Sequence, residues 1–327
     1  MTRQNVLVFR ELPPDPLARL QAHHEVVVAN PRVPEQLAAF HAALATADGL
    51  IGSSYKVDTA LLAAAPQLKV ISSVSVGVDN YDLPTLAARG IVLCHTPGVL
   101  TETTADTVFS LIMASSRRLV ELANLVRDGR WTRNIGEDLF GWDIHGKTLG
   151  ILGFGRIGQA VARRAALGFG MPVLYHSRRA VDVQQDAPDL AGKVTPTPMD
   201  ELLAQADIVV VLLPLSDETR GLIGNREFAL MKSGAILVNG ARGAIVSESA
   251  LLHALDHGSL RAAGLDVFAT EPLPLDSPLR THRQVTALPH IGSATYETRH
   301  AMADMATSNL LLALSDKTPL AVFPNSR

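Results

Sequence analysis

A single cysteine, Cys94, stands in 327 residues. One thiol can close neither an intrachain disulfide nor a cysteine-based metal centre, so no metal is expected and a reducing cytoplasm is. Charge of one sign is lacking too. With 29 Lys and Arg against 32 Asp and Glu, the formal net charge is -3, too weak a positive field to hold nucleic acid or an anionic membrane. Long apolar runs are missing as well. The first, Val6 to Phe9, spans four residues, short of the about 7 to 15 of a signal-peptide core or the ~20 of a membrane span. Small-molecule partners are the class left.

What remains is 47% hydrophobic and 19% charged, the balance of a globular α/β enzyme. At roughly 150 residues per domain, the length suggests two domains. Short apolar runs, each followed by residues at helical spacing, predict parallel strands with helical crossovers. One group holds Val6 to Phe9, Gly49 to Gly52, Val70 to Val74 and Ile91 to His95. A second holds Thr148 to Leu152, Val173 to Tyr175, Ile208 to Leu213, Ala235 to Asn239, Ala262 to Val267 and Val285 to Leu288.

Between the groups, the apolar spacing from Thr101 to about Asp128 predicts one long helix, stopped near Gly129. A last helix is expected from Tyr296 to about Leu314. The 13 residues after it are too few for a third domain, so this helix is expected to return to the N-terminal one. The expected fold is α/β with two parallel-sheet domains: a discontinuous domain at 1–100 plus 293–327, and an inserted one at 101–292. Hinges are expected near Pro97 to Thr101 and Gly292 to Thr295.

Gly153-Phe-Gly155-Arg-Ile-Gly158 fits G-x-G-x-x-G, preceded by a predicted strand and followed by helix-compatible Gln159 to Leu167. In that setting the three glycines serve a tight turn, close approach of a pyrophosphate and helix packing, with helix N-terminal amides facing the phosphates. Arg156 and Ile157 complete the candidate cofactor loop. A second absence then narrows the cofactor. NAD-binding folds place an acid about 20 residues past the loop, on the ribose 2'-hydroxyl, yet no Asp or Glu occurs from Gly153 through Val181. The second strand runs instead into Ser177-Arg178-Arg179, groups suited to a 2'-phosphate. NADP(H) is therefore expected ahead of NAD(H); the bland alternative is a solvated arginine pair.

Arg242, Glu271 and His290 each stand just past a predicted strand, where α/β sheets collect ligands. With these motifs in view, the chain resembles the D-isomer-specific 2-hydroxyacid dehydrogenases over essentially its whole length. The resemblance rests on SVGVDNYDL from 75, HTPGVLTETTAD from 95, GKTLGILGFGRIGQAVARR from 146, LLPLSDETRGLI from 212, NGARGAIVSESAL from 239, AAGLDVFATEPL from 262 and LPHIGSAT from 288. Within the family, RWT at 130, HSRR at 176 and HIGSATYETR at 290 are most similar to bacterial glyoxylate/hydroxypyruvate reductases that also reduce 2-ketogluconate.

The resemblance implies two Rossmann-like domains, a flavodoxin-like substrate domain and an inserted dinucleotide-binding one. It implies NADPH-dependent reduction of small 2-oxoacids to 2-hydroxyacids, of D configuration where chiral. Arg242 becomes the substrate-carboxylate anchor, His290 the proton donor and Glu271 its partner. The chemistry agrees: an Arg fork grips a carboxylate, and the carbonyl oxygen that gains charge as hydride arrives needs an acid that works near neutrality. Val76 and Gly77 become backbone contacts to the substrate carboxylate. Ser293 is either a substrate hydrogen-bonding residue or a helix N-cap.

Thr107, Pro214, Thr219, Ala241, Asp266, His290 and Gly292 are carried over to the nicotinamide and ribose. Related reductases send an aromatic across a dimer interface from the region of Trp131 and Trp142, though buried packing is the plainer reading of both. A homodimer is expected. Two other readings compete: an NAD-dependent dehydrogenase of another 2-hydroxyacid, such as phosphoglycerate or formate dehydrogenase, and a dinucleotide-sensing corepressor. A regulatory domain after the catalytic ones, and a disordered or basic extension, would favour them; neither is expected here.

Overall fold

The computed structural model describes residues 3–324. It divides into two compact units, Met1–Leu100 with Ala294–Arg327, and Thr101–Ser293.

The first unit is built on five parallel strands: β1 (Asn5–Val8), β2 (Glu25–Val28), β3 (Gly49–Gly52), β4 (Val70–Ser73) and β5 (Val92–Cys94). Their order is β2-β1-β3-β4-β5. Every residue of β3 and β4 is buried, as expected of parallel strands covered by helices on both faces. The helix Tyr296–Leu314 packs on β4, where the Ser72 hydroxyl donates to the Ala306 carbonyl at 2.7 Å. Strand β2, whose Val26–Ala29 run was not among the strands expected, is an edge strand with one neighbour, leaving Val27 and Val28 exposed.

The second unit carries seven parallel strands: β6 (Leu149–Leu152), β7 (Val173–His176), β8 (Val194–Pro196), β9 (Ile208–Val211), β10 (Ala235–Asn239), β11 (Leu260–Leu265) and β12 (Val285–Ala287). They run β12-β11-β10-β9-β6-β7-β8. The two-residue alternation of side chains splits the core between the faces. Ile151, Val210 and Val238 lie in one cluster, Leu152, Val209 and Leu237 in another. Full burial of each such side chain contributes about 1.5–3 kcal/mol. Strand β8 also went unread, being short, at the edge, and ending in Pro196, which only an edge tolerates.

The single helix expected from Thr101 to Asp128 is two, Thr101–Arg117 and Leu119–Arg127. Arg118 between them has a φ of 55°, a conformation that ends a right-handed helix. Tertiary contacts hold the break. Arg118 donates to both Glu121 carboxylate oxygens and to the Asp138 carbonyl, and the backbone N–H of Trp142 donates to the Ser116 carbonyl at 2.9 Å. Trp131 is 58% exposed and Trp142 is also exposed, with the Arg261 guanidinium 4.1 Å over its ring. The packing read for both tryptophans is thus replaced by surface positions.

Candidate active site

The chain leaves β6 and turns at Gly153, whose φ of 103° suits glycine. A Cβ there would stand 2.6 Å from the Leu212 carbonyl oxygen, and one at Gly158 would stand 2.2 Å from the Gly153 carbonyl oxygen. Neither position admits a side chain. Gly155 differs: a Cβ would meet nothing within 4 Å. It is the N-cap of the helix Arg156–Arg163 and offers no capping side chain, so the first-turn N–H groups, which lack intrahelical acceptors, remain for an anion. The loop lies between β6 and β9, where the strand order reverses and α/β sheets bind ligands. Arg156 is exposed beside it, and Ile157 packs on the core below.

Past β7, Ser177 is half-buried while Arg178 and Arg179 are exposed. Arg178 donates to Glu218 at 2.6 Å, with both side chains mostly in solvent. Such a pair contributes only about 0–1 kcal/mol, so a phosphate would readily displace the carboxylate. Thr219 is buried, its hydroxyl spent on the Pro214 carbonyl at 2.7 Å and the Ser216 N–H at 2.8 Å. It shapes the loop after β9. Thr107 is half-buried, and its hydroxyl donates to the Thr103 carbonyl within its own helix.

The structure brings Arg242, Glu271 and His290 to one region of the second unit. The His290 Nδ1 lies 2.7 Å from a Glu271 carboxylate oxygen, and the other Glu271 oxygen accepts the Phe268 N–H at 3.0 Å. Burial pushes the Glu271 carboxyl up, but the bonds from His290 and Phe268, with the charge of Arg242, hold it below the usual range. An ionised Glu271 assigns the proton to Nδ1 and leaves Nε2 as the outward nitrogen. Arg242 follows β10 and donates to the Ala241 carbonyl at 2.8 Å.

His290 has a φ of 55°, a costly conformation for a residue with a Cβ. Asp266, at the end of β11, holds it there by accepting the N–H groups of Ile291 at 2.7 Å and Gly292 at 2.8 Å. Burial raises the Asp266 carboxyl above its usual range against those two bonds. Both Asp266 oxygens thus serve the loop that carries His290. Ser293 is not the N-cap of the next helix; Thr295 is, accepting the Thr298 N–H at 3.2 Å.

In the first unit, Val76 and Gly77 lie in the loop after β4. The Ser75 hydroxyl donates to the Gly77 carbonyl at 2.7 Å, and the His95 Nδ1 lies 3.2 Å from the Val76 carbonyl. The N–H groups of Val76 and Gly77 donate to no described residue.

Reading by motif passed over Asn239, and gave Asp266 a place at the nicotinamide and ribose without its hold on the His290 loop. Asn239 is buried at the end of β10 and ties the Ala241 N–H to the Arg242 carbonyl. Its signal was present: an amide closing an otherwise apolar strand must find buried partners. No group of His, Cys, Asp and Glu able to hold a metal occurs among the described residues, and no described helix is long and apolar enough to cross a membrane.

Comparison with known proteins places this geometry. The family profile described as D-isomer specific 2-hydroxyacid dehydrogenase, NAD binding domain, matches residues 109–292. The chain is 50% identical over 313 residues to glyoxylate/hydroxypyruvate reductase B of Klebsiella pneumoniae, covering 96% of each. It is 49% identical over 318 residues to the Escherichia coli protein of that name, again covering 96% of each. Among solved structures it resembles the NADPH-dependent glyoxylate/hydroxypyruvate reductase of Sinorhizobium meliloti in complex with NADP and malonate, with a TM-score of 0.88, 32% identity, and coverage of 99% of this chain and 98% of that one. A glycine turn built for a dinucleotide and a histidine held by a glutamate agree with those matches, and this chain belongs to the D-isomer-specific 2-hydroxyacid dehydrogenase family.

Proposed function

We propose that this protein reduces glyoxylate, hydroxypyruvate and related small 2-oxoacids, 2-ketogluconate among them, to 2-hydroxyacids, of D configuration where chiral, with NADPH preferred and NADH accepted. The observation that carries the reading is the 2.7 Å His290–Glu271 pair beside Arg242, in a unit whose dinucleotide turn precedes an acid-free strand. The relatives named above support the substrate class.

The Gly153–Gly158 turn and the first-turn amides that follow fit the pyrophosphate, and Ser177, Arg178 and Arg179 fit the 2'-phosphate. The bound dinucleotide supplies the hydride. Arg242 grips the substrate carboxylate with its planar fork, and the unused N–H groups of Val76 and Gly77, in the first unit, are donors suited to a carboxylate. His290, with Nδ1 committed to Glu271, gives its Nε2 proton to the oxygen that gains charge, and Glu271 steadies the resulting ring. Ser293, Thr107, Pro214, Ala241 and Gly292 complete the surroundings of substrate and nicotinamide.

We also propose a cytoplasmic homodimer. Leu119, Val120, Val126, Ile135 and Phe140 are exposed together with Trp131, more apolar surface than an isolated protein usually shows around one segment.

The test is kcat/KM for glyoxylate, hydroxypyruvate and 2-ketogluconate with each cofactor, in the wild type and in an Arg178→Ala/Arg179→Ala variant. NADPH is expected to win in the wild type, and the variant to lose about tenfold or more with NADPH while keeping its NADH value. NADH equal to or better than NADPH in the wild type refutes the cofactor reading. A kcat below about 0.01 per second on every oxoacid favours a sensor over an enzyme.

A further inference from the structure

The five-stranded sheet has its own switch point. From β1 the chain moves outward to β2, then crosses back to β3 on the other side. In parallel sheets the crevice beyond the carboxyl ends of such strands is where ligands bind. Here that crevice holds a cavity of about 250 Å³, lined by residues that follow β1 (Phe9, Arg10), β2 (Asn30, Arg32) and β3 (Ser53 to Tyr55). No acid lines it.

The lining is built for negative charge. Arg10, half-buried, donates to the hydroxyls of Ser53 at 2.6 Å and Ser54 at 3.1 Å. Arg32 donates to the Ser54 carbonyl. Neither guanidinium has a carboxylate partner among the described residues. Burial, then the neighbouring Arg299 and Arg32, depress the Arg10 pKa. Ser54, bonded by both arginines, has a φ of 62°, a conformation that persists where surrounding contacts impose it. Asn30 spends its side-chain oxygen on the Arg32 N–H at 3.0 Å, leaving its amide NH2 as a further donor.

We propose that this pocket is an anion site taking a phosphate or carboxylate group carried by a small metabolite. The space corresponds to roughly eight waters at their liquid volume, enough for one such group with part of its carrier and too little for a dinucleotide. Arg10 and Arg32 present paired donors to its oxygens, and the Asn30 amide a third direction. The proposal stands apart from the oxoacid reading, because its test is direct binding.

The probe is inorganic phosphate, titrated by calorimetry and 31P relaxation into the full chain saturated with NADP+, which occupies the dinucleotide's own phosphate sites. Wild type is expected to bind one phosphate outside the dinucleotide site. Arg32→Gln, an exposed change, and Arg10→Gln, with folding checked by melting, are each expected to weaken it about tenfold or more. Phosphate that raises the KM for glyoxylate in the wild type but not in Arg32→Gln identifies the pocket with the far end of an acidic substrate. Phosphate that binds without changing that KM identifies a separate effector. No binding beyond the dinucleotide site, or binding of wild-type strength in both variants, overturns the proposal.

Discussion

Alanine at Gly158 and alanine at Gly155 should damage this protein in different ways, although the two residues are three apart. At Gly158 the new methyl would stand 2.2 Å from the Gly153 carbonyl oxygen, where ordinary contact begins at 3.4 Å, so the helix and the turn must part by about 1.2 Å. The turn has little room to yield. Gly153 is wedged against the Leu212 backbone and its N–H is bonded to the His176 carbonyl at 2.9 Å. Overpacking of this kind costs about 1–3 kcal/mol, and a domain of this size loses roughly 2–4 °C in Tm per kcal/mol. Gly158→Ala is therefore expected to lower the Tm of the ligand-free protein by roughly 2–12 °C.

At Gly155 the methyl meets nothing within 4 Å, and the backbone already has a φ of -78°. Only the weaker N-cap preference of alanine counts, about 1 kcal/mol. The methyl does, however, occupy the space through which a pyrophosphate reaches the helix amides. Gly155→Ala is expected to keep most of its Tm while its Kd for NADPH rises about tenfold or more, or ~1.4 kcal/mol. Thermal melts without ligand and fluorescence titrations with NADPH read the two effects separately. A Gly158→Ala protein that melts with the wild type, or a Gly155→Ala protein that binds NADPH as tightly, would refute the argument.

His290→Gln is expected to lower kcat by about 10²–10⁴ while leaving the NADPH Kd within about twofold, since the change removes the acid and not the cofactor site; retained turnover would exclude His290 from the proton step. Glu121→Gln tests the helix break. Hydrogen bonds from Arg118, opposed by burial and reinforced by Arg283, hold the Glu121 carboxyl below its ordinary 4.5. A folded pKa below the unfolded one means that the stabilisation is complete above the unfolded value and is lost as pH falls through the folded value. The variant should thus be less stable at pH 7 by about 1–2 kcal/mol, allowing for partial exposure, and the gap should close in acid below the ordinary carboxylate range. Denaturant titrations at pH 7 and pH 3 that show the same gap would sink this account.

Local pattern carried much of the architecture because its physics is local. A strand buried on both faces must be an unbroken apolar run, as in β6, β9 and β10, and G-x-G-x-x-G between a strand and a helix permits few other structures. The helix Tyr296–Leu314 was legible from its start and its spacing. The missing acid after β7 was also plain, since an absence along one stretch needs no partner to be noticed. Arg242, Glu271 and His290 could be picked out by their places after strands, but not their geometry.

Tertiary structure alone decided the rest, and in each case residues distant in sequence set a local conformation. Strand β8 forms because a neighbour offers an edge, with little apolar signal of its own. The helix breaks at Arg118 because Asp138, Trp142 and Glu121 surround it. His290 adopts its left-handed backbone because Asp266, 24 residues earlier, takes the next two amides, and the cap falls to Thr295 instead of Ser293. The arginine pocket joins loops after three strands that no contiguous motif could link. The sequence by itself determined which residues are apolar, which turns need glycine and which charges are missing. Only the folded chain decided which of its polar groups meet, because hydrogen bonds and ion pairs depend on distances that chain order does not set.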